Sequence, residues 1–187
     1  VNAREVAMAR RAYRTEPLAA SAVAVQALSL TGDGDSKRAQ ALLEYAGKLS
    51  RRSVLVNTSL IEAAANRDDR RAFFSWLSRA MLTNSEASLA YGTAMAEATA
   101  RDGAVDALVD VLGPKPRWAD IYWQLVVRRP GSLVNAAKIR TALAQGRWRQ
   151  TEVERTDEEL VLGLTGIGRF DEARRLADAL HPTKRIN

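Results

Sequence analysis

The sequence predicts an all-α fold, a right-handed stack of about five helix pairs, and three observations support this prediction. The chain of 187 residues is 47% apolar and 27% charged, which is the profile of a globular protein. Its 33 alanines, set against 11 glycines and 5 prolines, favour helix over strand. Turn signals recur about every 34 residues, and the segments between them carry the 3.6-residue apolar period of amphipathic helices.

The predicted helices follow in order along the chain. An N-terminal helix covers 3–13 and ends before Pro17. Five pairs come next: 18–30 with 36–49, 53–65 with 70–81, 86–99 with 104–112, 118–128 with 133–145, and 156–165 with 170–180. Gly113-Pro114 and Pro130-Gly131 separate helices because proline cannot continue one. The polar stretch 146–155 is the predicted loop, and the apparent capping box Thr156–Glu159 begins the next helix.

Such helix pairs cannot bury their apolar faces alone, so neighbouring pairs are expected to stack into one curved solenoid. Small residues stand where the helices of successive pairs are expected to cross: Ala39, Ala72, Ala107 and Ala173. We therefore expect one repeat domain over 1–187, and the first residue, Val1, leaves open that it is a fragment of a longer chain.

One family pattern appears in the second helices. The run Gly168–Ala173, with Ala177, Leu180 and Pro182 beyond it, resembles the second helix of a tetratricopeptide repeat. Similar partial matches are Ala12 with Pro17, and 66–69 followed by Ala72, Trp76 and Asn84. The resemblance covers nearly the whole chain and implies a tetratricopeptide-repeat-like protein that binds proteins rather than a catalyst. The order of 49–52 and 114–118 is also similar to uncharacterised bacterial envelope-associated repeat proteins.

The residue types of the chain do not support a catalytic, cofactor or metal site. The chain has no cysteine and one histidine, His181, without a nucleophile and an orienting acid in a recognisable pattern. Asp33, Asp35 and Glu44 have calcium-loop spacing, but Lys37 occupies the fifth position, which must supply a ligand, and Arg38 the sixth, which must be glycine. We expect no enzyme activity, no cofactor and no metal, and we expect Asp35 or Ser36 to cap a helix.

The net charge of +6 suggests an anionic partner, but its distribution along the chain argues against a nucleic-acid groove. Three predicted first helices, 18–30, 53–65 and 86–99, contain no lysine or arginine. In tetratricopeptide-like arrays these helices line the concave face, so the resemblance implies a neutral groove for a protein segment. The predicted groove residues are Gln26, Asn57, Tyr91 and Met95.

The alternative function is binding of nucleic acid or an anionic membrane surface by the basic outer face, which carries most of the double arginines. Arg147-Trp148-Arg149 fits either a base-stacking platform or a tryptophan that anchors a loop, and the anchor is favoured. Trp118 and Tyr122, four residues apart, are predicted to lie in the core. No stretch reaches membrane-span length, so any membrane contact is at the surface.

The sequence does not define the oligomeric state or the compartment. Both the bacterial cytoplasm and an envelope association through a segment preceding Val1 are consistent with it.

Overall fold

The regular structure of the chain is helical throughout the part that the computed structural model describes, residues 3–16, 18–32 and 35–181. The described elements are α1 (Ala3–Thr15), α2 (Ala20–Gly32), α3 (Ser36–Leu49), α4 (Val54–Asn66), α5 (Arg70–Thr83), α6 (Ser88–Ala98), α7 (Ala104–Leu112), α8 (Ala119–Val126), a 3-10 turn (Pro130–Ser132), α9 (Leu133–Gln145), α10 (Arg155–Gly166) and α11 (Phe170–Leu180). The all-α prediction is confirmed.

Local signals account for most helix ends. The bounds of α3, α7, α9 and α11 are those predicted, and the other helices differ by one to a few residues. Asp35 caps α3 by accepting a hydrogen bond from the Arg38 backbone N–H at 3.2 Å, as expected, whereas Asp33 and Pro17 lie outside the described residues. Asp69 caps α5 in the same way, through the Ala72 N–H at 2.9 Å.

The start of α10 differs from the prediction. The helix begins at Arg155 and its reciprocal capping pair is Glu154 with Asp157, so the predicted capping box Thr156–Glu159 is wrong. The Asp157 carboxylate accepts a hydrogen bond from the Glu154 N–H at 3.0 Å. This carboxylate also accepts two hydrogen bonds from Arg140, and the observed N-cap, Glu154, lies two residues before the predicted one, Thr156.

The chain divides into two compact units, Val1–Ser85 and Glu86–Asn187. In the first unit α2 contacts α1, α3 and α4, and α4 contacts α5 as well. Its core is formed by Val23, Leu43, Val56 and Leu60 together with alanines. The expectation of a single repeat domain over 1–187, with a superhelical arrangement, stays a prediction.

The second unit pairs its helices differently from the prediction. Here α6 has its main contact with α8 and α7 with α9, whereas the sequence paired α6 with α7 and α8 with α9. The Ser132 hydroxyl donates to the Ala96 carbonyl at 2.7 Å, and the Asn135 amide donates to the Thr99 carbonyl at 2.8 Å. These bonds tie the start of α9 to the end of α6. Towards the C-terminus α11 packs on both α9 and α10.

Three of the four expected crossing alanines are buried. Ala39, Ala107 and Ala173 lie in the core, but Ala72 is only half-buried. In α5 the fully buried positions are Phe74, Leu77 and Ala80.

Among the described helices, none is both long enough and apolar enough to cross a membrane.

Candidate functional site

Two of the four predicted groove residues lie in the core. Met95 is 0% exposed and Asn57 is 1% exposed, so neither offers its side chain to a partner. The Asn57 amide instead donates to the Arg51 carbonyl at 3.2 Å and ties the preceding turn to α4. Gln26 and Tyr91 are half-buried. The first helices α4 and α6 thus bury much of their surface, which is a packing reason for their lack of basic residues.

The aromatic residues of α8 and the residue before it are core residues, as predicted. Trp118 and Tyr122 are fully buried, and Tyr122 packs edge-to-face on Trp123 with ring centroids 5.0 Å apart. The Tyr122 hydroxyl lies 3.1 Å from the Thr99 hydroxyl at the end of α6. Burial raises the pKa of Tyr122 well above its usual value, and the hydrogen bond to Thr99 opposes that rise only in part.

Trp148 anchors the loop between α9 and α10. Its ring lies so close to Gly113 that a side-chain carbon there would come within 1.9 Å of it. Arg147 lies over the ring at 4.5 Å and forms an ion pair with Asp110 at 3.1 Å. The Gln150 amide donates to the Leu112 and Gly113 carbonyls, which end α7. The loop-anchor interpretation of Arg147-Trp148-Arg149 is therefore confirmed, since the ring is committed to packing.

A buried ion pair beneath this loop was not predicted. Arg140 on α9 donates two hydrogen bonds to the Asp157 carboxylate, from Nε at 2.7 Å and from Nη2 at 2.9 Å. Its remaining donors reach the backbone carbonyls of Gln150 and Glu152. Both charged side chains are under a tenth exposed. One guanidinium therefore joins α9, the loop and the first turn of α10.

No sequence signal distinguished Arg140 from the other 22 arginines. The only indication is its position on α9, where it lies on the same side of the helix as the apolar residues of 133–145. A basic residue on the core side of a helix requires a buried partner. Its partner Asp157 lies within a capping pattern, which accounts for a carboxylate at this position without a buried cation.

The loop and the helices around it enclose a cleft in the second unit. The deeper part is a cavity of about 270 Å³ with an apolar wall of Leu112, Ala119 and Trp123. Lys115, Asp120, Arg140, Arg149, Gln150, Thr151, Glu152, Glu154, Thr156 and Asp157 supply its polar lining. A shallower part of about 380 Å³ shares Asp120, Glu154 and Thr156 with the cavity and runs on to Gln124, Arg128, Arg155 and Glu159. The cleft thus follows the exposed side of α8 opposite the start of α10.

Carboxylates dominate the electrostatics of the cavity mouth. Lys115 lies 3.3 Å from a Glu154 oxygen and 3.7 Å from a Glu152 oxygen. The hydrogen bond to Glu154 raises the pKa of Lys115, and the negative charges of Glu154, Glu152 and Asp120 add to this effect.

Lys115 and Arg149 both adopt positive φ angles, 50° and 48°, so two turns at this mouth hold conformations that non-glycine residues rarely adopt.

Three polar side chains of the cleft make no hydrogen bond in the part of the chain that the structure describes. Within the described part of the chain, no hydrogen bond or ion pair engages Gln124 or Arg128, and no hydrogen bond engages Asp120. All three are exposed, and Asp120 and Gln124 lie one turn apart on the same side of α8. Arg155, in contrast, pairs with Glu159 at 3.2 Å. The side of the cleft formed by α8 and the turn after it therefore presents an acid, an amide and a cation to solvent.

The described residues contain no group of three histidine, cysteine or carboxylate side chains placed to hold a metal ion. His181 is exposed at the end of α11 and lines a shallow, mostly apolar depression with Val161, Leu162 and Leu180.

A comparison of the chain with protein-family models finds no match, and comparisons with curated proteins and with solved structures find none either. The tetratricopeptide resemblance therefore stays a prediction drawn from the residues.

Proposed function

We propose that the chain is a non-catalytic scaffold that binds a segment of another protein, and that the segment lies in the cleft between α8 and the start of α10. One observation supports this choice: the two parts of the cleft share lining residues, and one side presents Asp120, which accepts no hydrogen bond among the described residues, and Gln124 and Arg128, which no hydrogen bond or ion pair engages there. An extended polypeptide has backbone donors and acceptors along its whole length, and such a row of side chains can bond to them.

The cleft is also held ready for a ligand. Arg140 and Trp148 fix the loop that forms one wall, so little of the wall has to be ordered when a segment binds. Preorganisation of this kind lowers the entropic cost of association. The proposed surface keeps the predicted use of first helices, because α8 and α10 are the first members of the fourth and fifth predicted pairs. It replaces Asn57 and Met95, which are buried, with exposed residues of α8 and the turn after it.

Site-specific photo-crosslinking tests the proposal. A photoreactive amino acid replaces Gln124 in one variant and the exposed Arg174 of α11 in a control variant, and each is irradiated in extract of the cells that make the protein. We expect a discrete protein adduct at Gln124 that is absent at Arg174. The added charge reversal Arg128→Glu is expected to weaken that adduct, while Arg174→Glu leaves it intact. Equal labelling at both positions, or an adduct with nucleic acid, would contradict the proposal.

A further inference from the structure

The deep cavity of the cleft is large enough for one long side chain, and its lining divides into an apolar wall and a polar mouth. Its volume of about 270 Å³ lies just below the roughly 300–1,000 Å³ typical of sites for whole small molecules. The wall of Leu112, Ala119 and Trp123 is apolar, and the polar groups gather around the mouth. A long side chain with an apolar stem and a polar end matches this division, because its stem packs on the wall while its end stays among polar groups.

The charge at the mouth selects the sign of that polar end. Arg140 and Asp157 neutralise each other and are buried. The remaining charged lining consists of three carboxylates, Asp120, Glu152 and Glu154, and two cations, Lys115 and Arg149. The resident Lys115 is stabilised in its charged form by all three carboxylates. Three carboxylates against two cations leave an excess of one negative charge around the cavity, and this excess favours a positive group there.

Two of the three carboxylates keep acceptor positions open for an incoming donor. Among the described residues Asp120 accepts no hydrogen bond, and Glu152 meets Lys115 only at 3.7 Å, beyond hydrogen-bonding distance. Glu154 is engaged more closely, by Lys115 at 3.3 Å. Asp120 also lines the shallower part of the cleft, so a group bound to it lies where the bound segment would continue.

We infer that the cavity takes one cationic side chain, lysine or arginine, of the bound segment, with Asp120 and Glu152 receiving its charged end and Leu112, Ala119 and Trp123 its stem. This inference rests on the proposed function and adds the class of residue that the segment must carry. The same alkyl cation chemistry is found in free polyamines, which the experiment distinguishes from a protein segment.

The test uses the full chain and three small probes of defined chemistry. Nα-acetyl-lysine methylamide mimics a lysine within a segment, Nα-acetyl-norleucine methylamide has a similar stem without the charge, and putrescine is a free diamine. Binding is followed by NMR through the indole N–H of Trp123. We expect the lysine probe to shift this signal with a saturable titration, and the norleucine probe to bind roughly tenfold more weakly, since a hydrogen bond to a charged group is lost.

Two double variants identify the side chains that bind the lysine probe. The double variant Asp120→Asn with Glu152→Gln is expected to bind the lysine probe roughly tenfold more weakly than the parent does. The matched control, Glu158→Gln with Asp171→Asn, removes two exposed carboxylates that do not line the cavity and is expected to leave the titration unchanged. Far-ultraviolet circular dichroism of both variants checks that they are folded.

Three results would overturn the inference: equal binding of the lysine and norleucine probes, no saturable shift by the lysine probe at roughly 50 mM, or tighter binding of putrescine than of the lysine probe. The crosslinking experiment at Gln124 is independent of the cavity. A protein adduct there together with a failed lysine titration would remove this inference and leave the proposed function standing.

Discussion

Arg140 is the residue on which one wall of the cleft depends. It neutralises Asp157 and binds two loop carbonyls, all in a buried position. Sequence patterns cannot detect such a residue, because the pairing joins positions 17 apart whose closeness depends on how α9 and α10 pack. The same limit explains Asn57 and Met95: the periodicity placed them within helices, but it did not show which side of each helix the neighbours cover.

Arg140→Ala is expected to lower the free energy of unfolding of the second unit by about 3–5 kcal/mol, because it leaves the Asp157 carboxylate buried without a partner. Urea denaturation followed by circular dichroism measures the change. The control Arg174→Ala removes an exposed arginine and is expected to stay within about 0.5 kcal/mol of the parent. Coinciding curves for Arg140→Ala and the parent would mean that the ion pair contributes nothing to the fold.

Gly113 is required for its small size, since its φ of −53° is open to any residue. Gly113→Ala is expected to displace the Trp148 ring and destabilise by about 1–3 kcal/mol, as overpacking usually does. Gly131→Ala is the matched control, because an added carbon there meets nothing within 4 Å. In a double-mutant cycle Trp148→Leu should relieve most of the cost, measured by urea denaturation. Additive effects would contradict the close approach of Trp148.

At the scale of elements, helix existence and most boundaries followed from the sequence, while helix partners did not. The apolar stripes and turn residues that define α3, α7, α9 and α11 are local, so periodicity finds them. The contacts of α6 with α8 and of α7 with α9 are not local, and an equal 34-residue spacing is compatible with either pairing. The sequence predicted the loop 146–155, whose last residue belongs to α10, but the anchors of this loop, Gly113 and Arg140, lie on other elements.

The Tyr122 hydroxyl, which joins α8 to the end of α6, makes the stability of this contact dependent on pH. Its pKa is raised in the folded state above the ordinary value of 10.0, because the buried ring disfavours the phenolate. Below pH 10 the folded and the unfolded chain both keep the phenolic proton, and Tyr122 makes its full contribution to the free energy of unfolding. Above pH 10 the unfolded chain loses its proton first, so the contribution falls as the pH rises, by up to about 1.4 kcal/mol per pH unit.

Tyr122→Phe is expected to cost about 1 kcal/mol at pH 7, where one hydrogen bond to Thr99 is lost. Between about pH 10 and 11.5 the parent should lose stability more steeply than the variant, because only the parent has this proton to lose. Urea denaturation across that range measures both slopes. Exposed Tyr45→Phe serves as control and should keep the steep slope of the parent. Parallel slopes for parent and Tyr122→Phe would contradict the burial of the hydroxyl.

At the scale of the whole molecule, the division at Ser85 and Glu86 separates two sets of helices that each have their own core. The turn signals keep their 34-residue spacing across this point, so they do not mark the division. A set of helices that forms a compact unit with buried contacts of its own can fold independently of the rest of the chain.

We expect the fragment Glu86–Asn187 to fold without the first unit. Its contacts of α6 with α8, α7 with α9, and α11 with α9 and α10 are all internal, and so are the Arg140–Asp157 pair and the Trp148 packing. The fragment should give a helical circular dichroism spectrum and one cooperative urea transition. Arg140→Ala in the fragment should shift that transition as it does in the full chain. A fragment with a random-coil spectrum, or a broad transition insensitive to Arg140→Ala, would show that the core of this unit requires the first 85 residues.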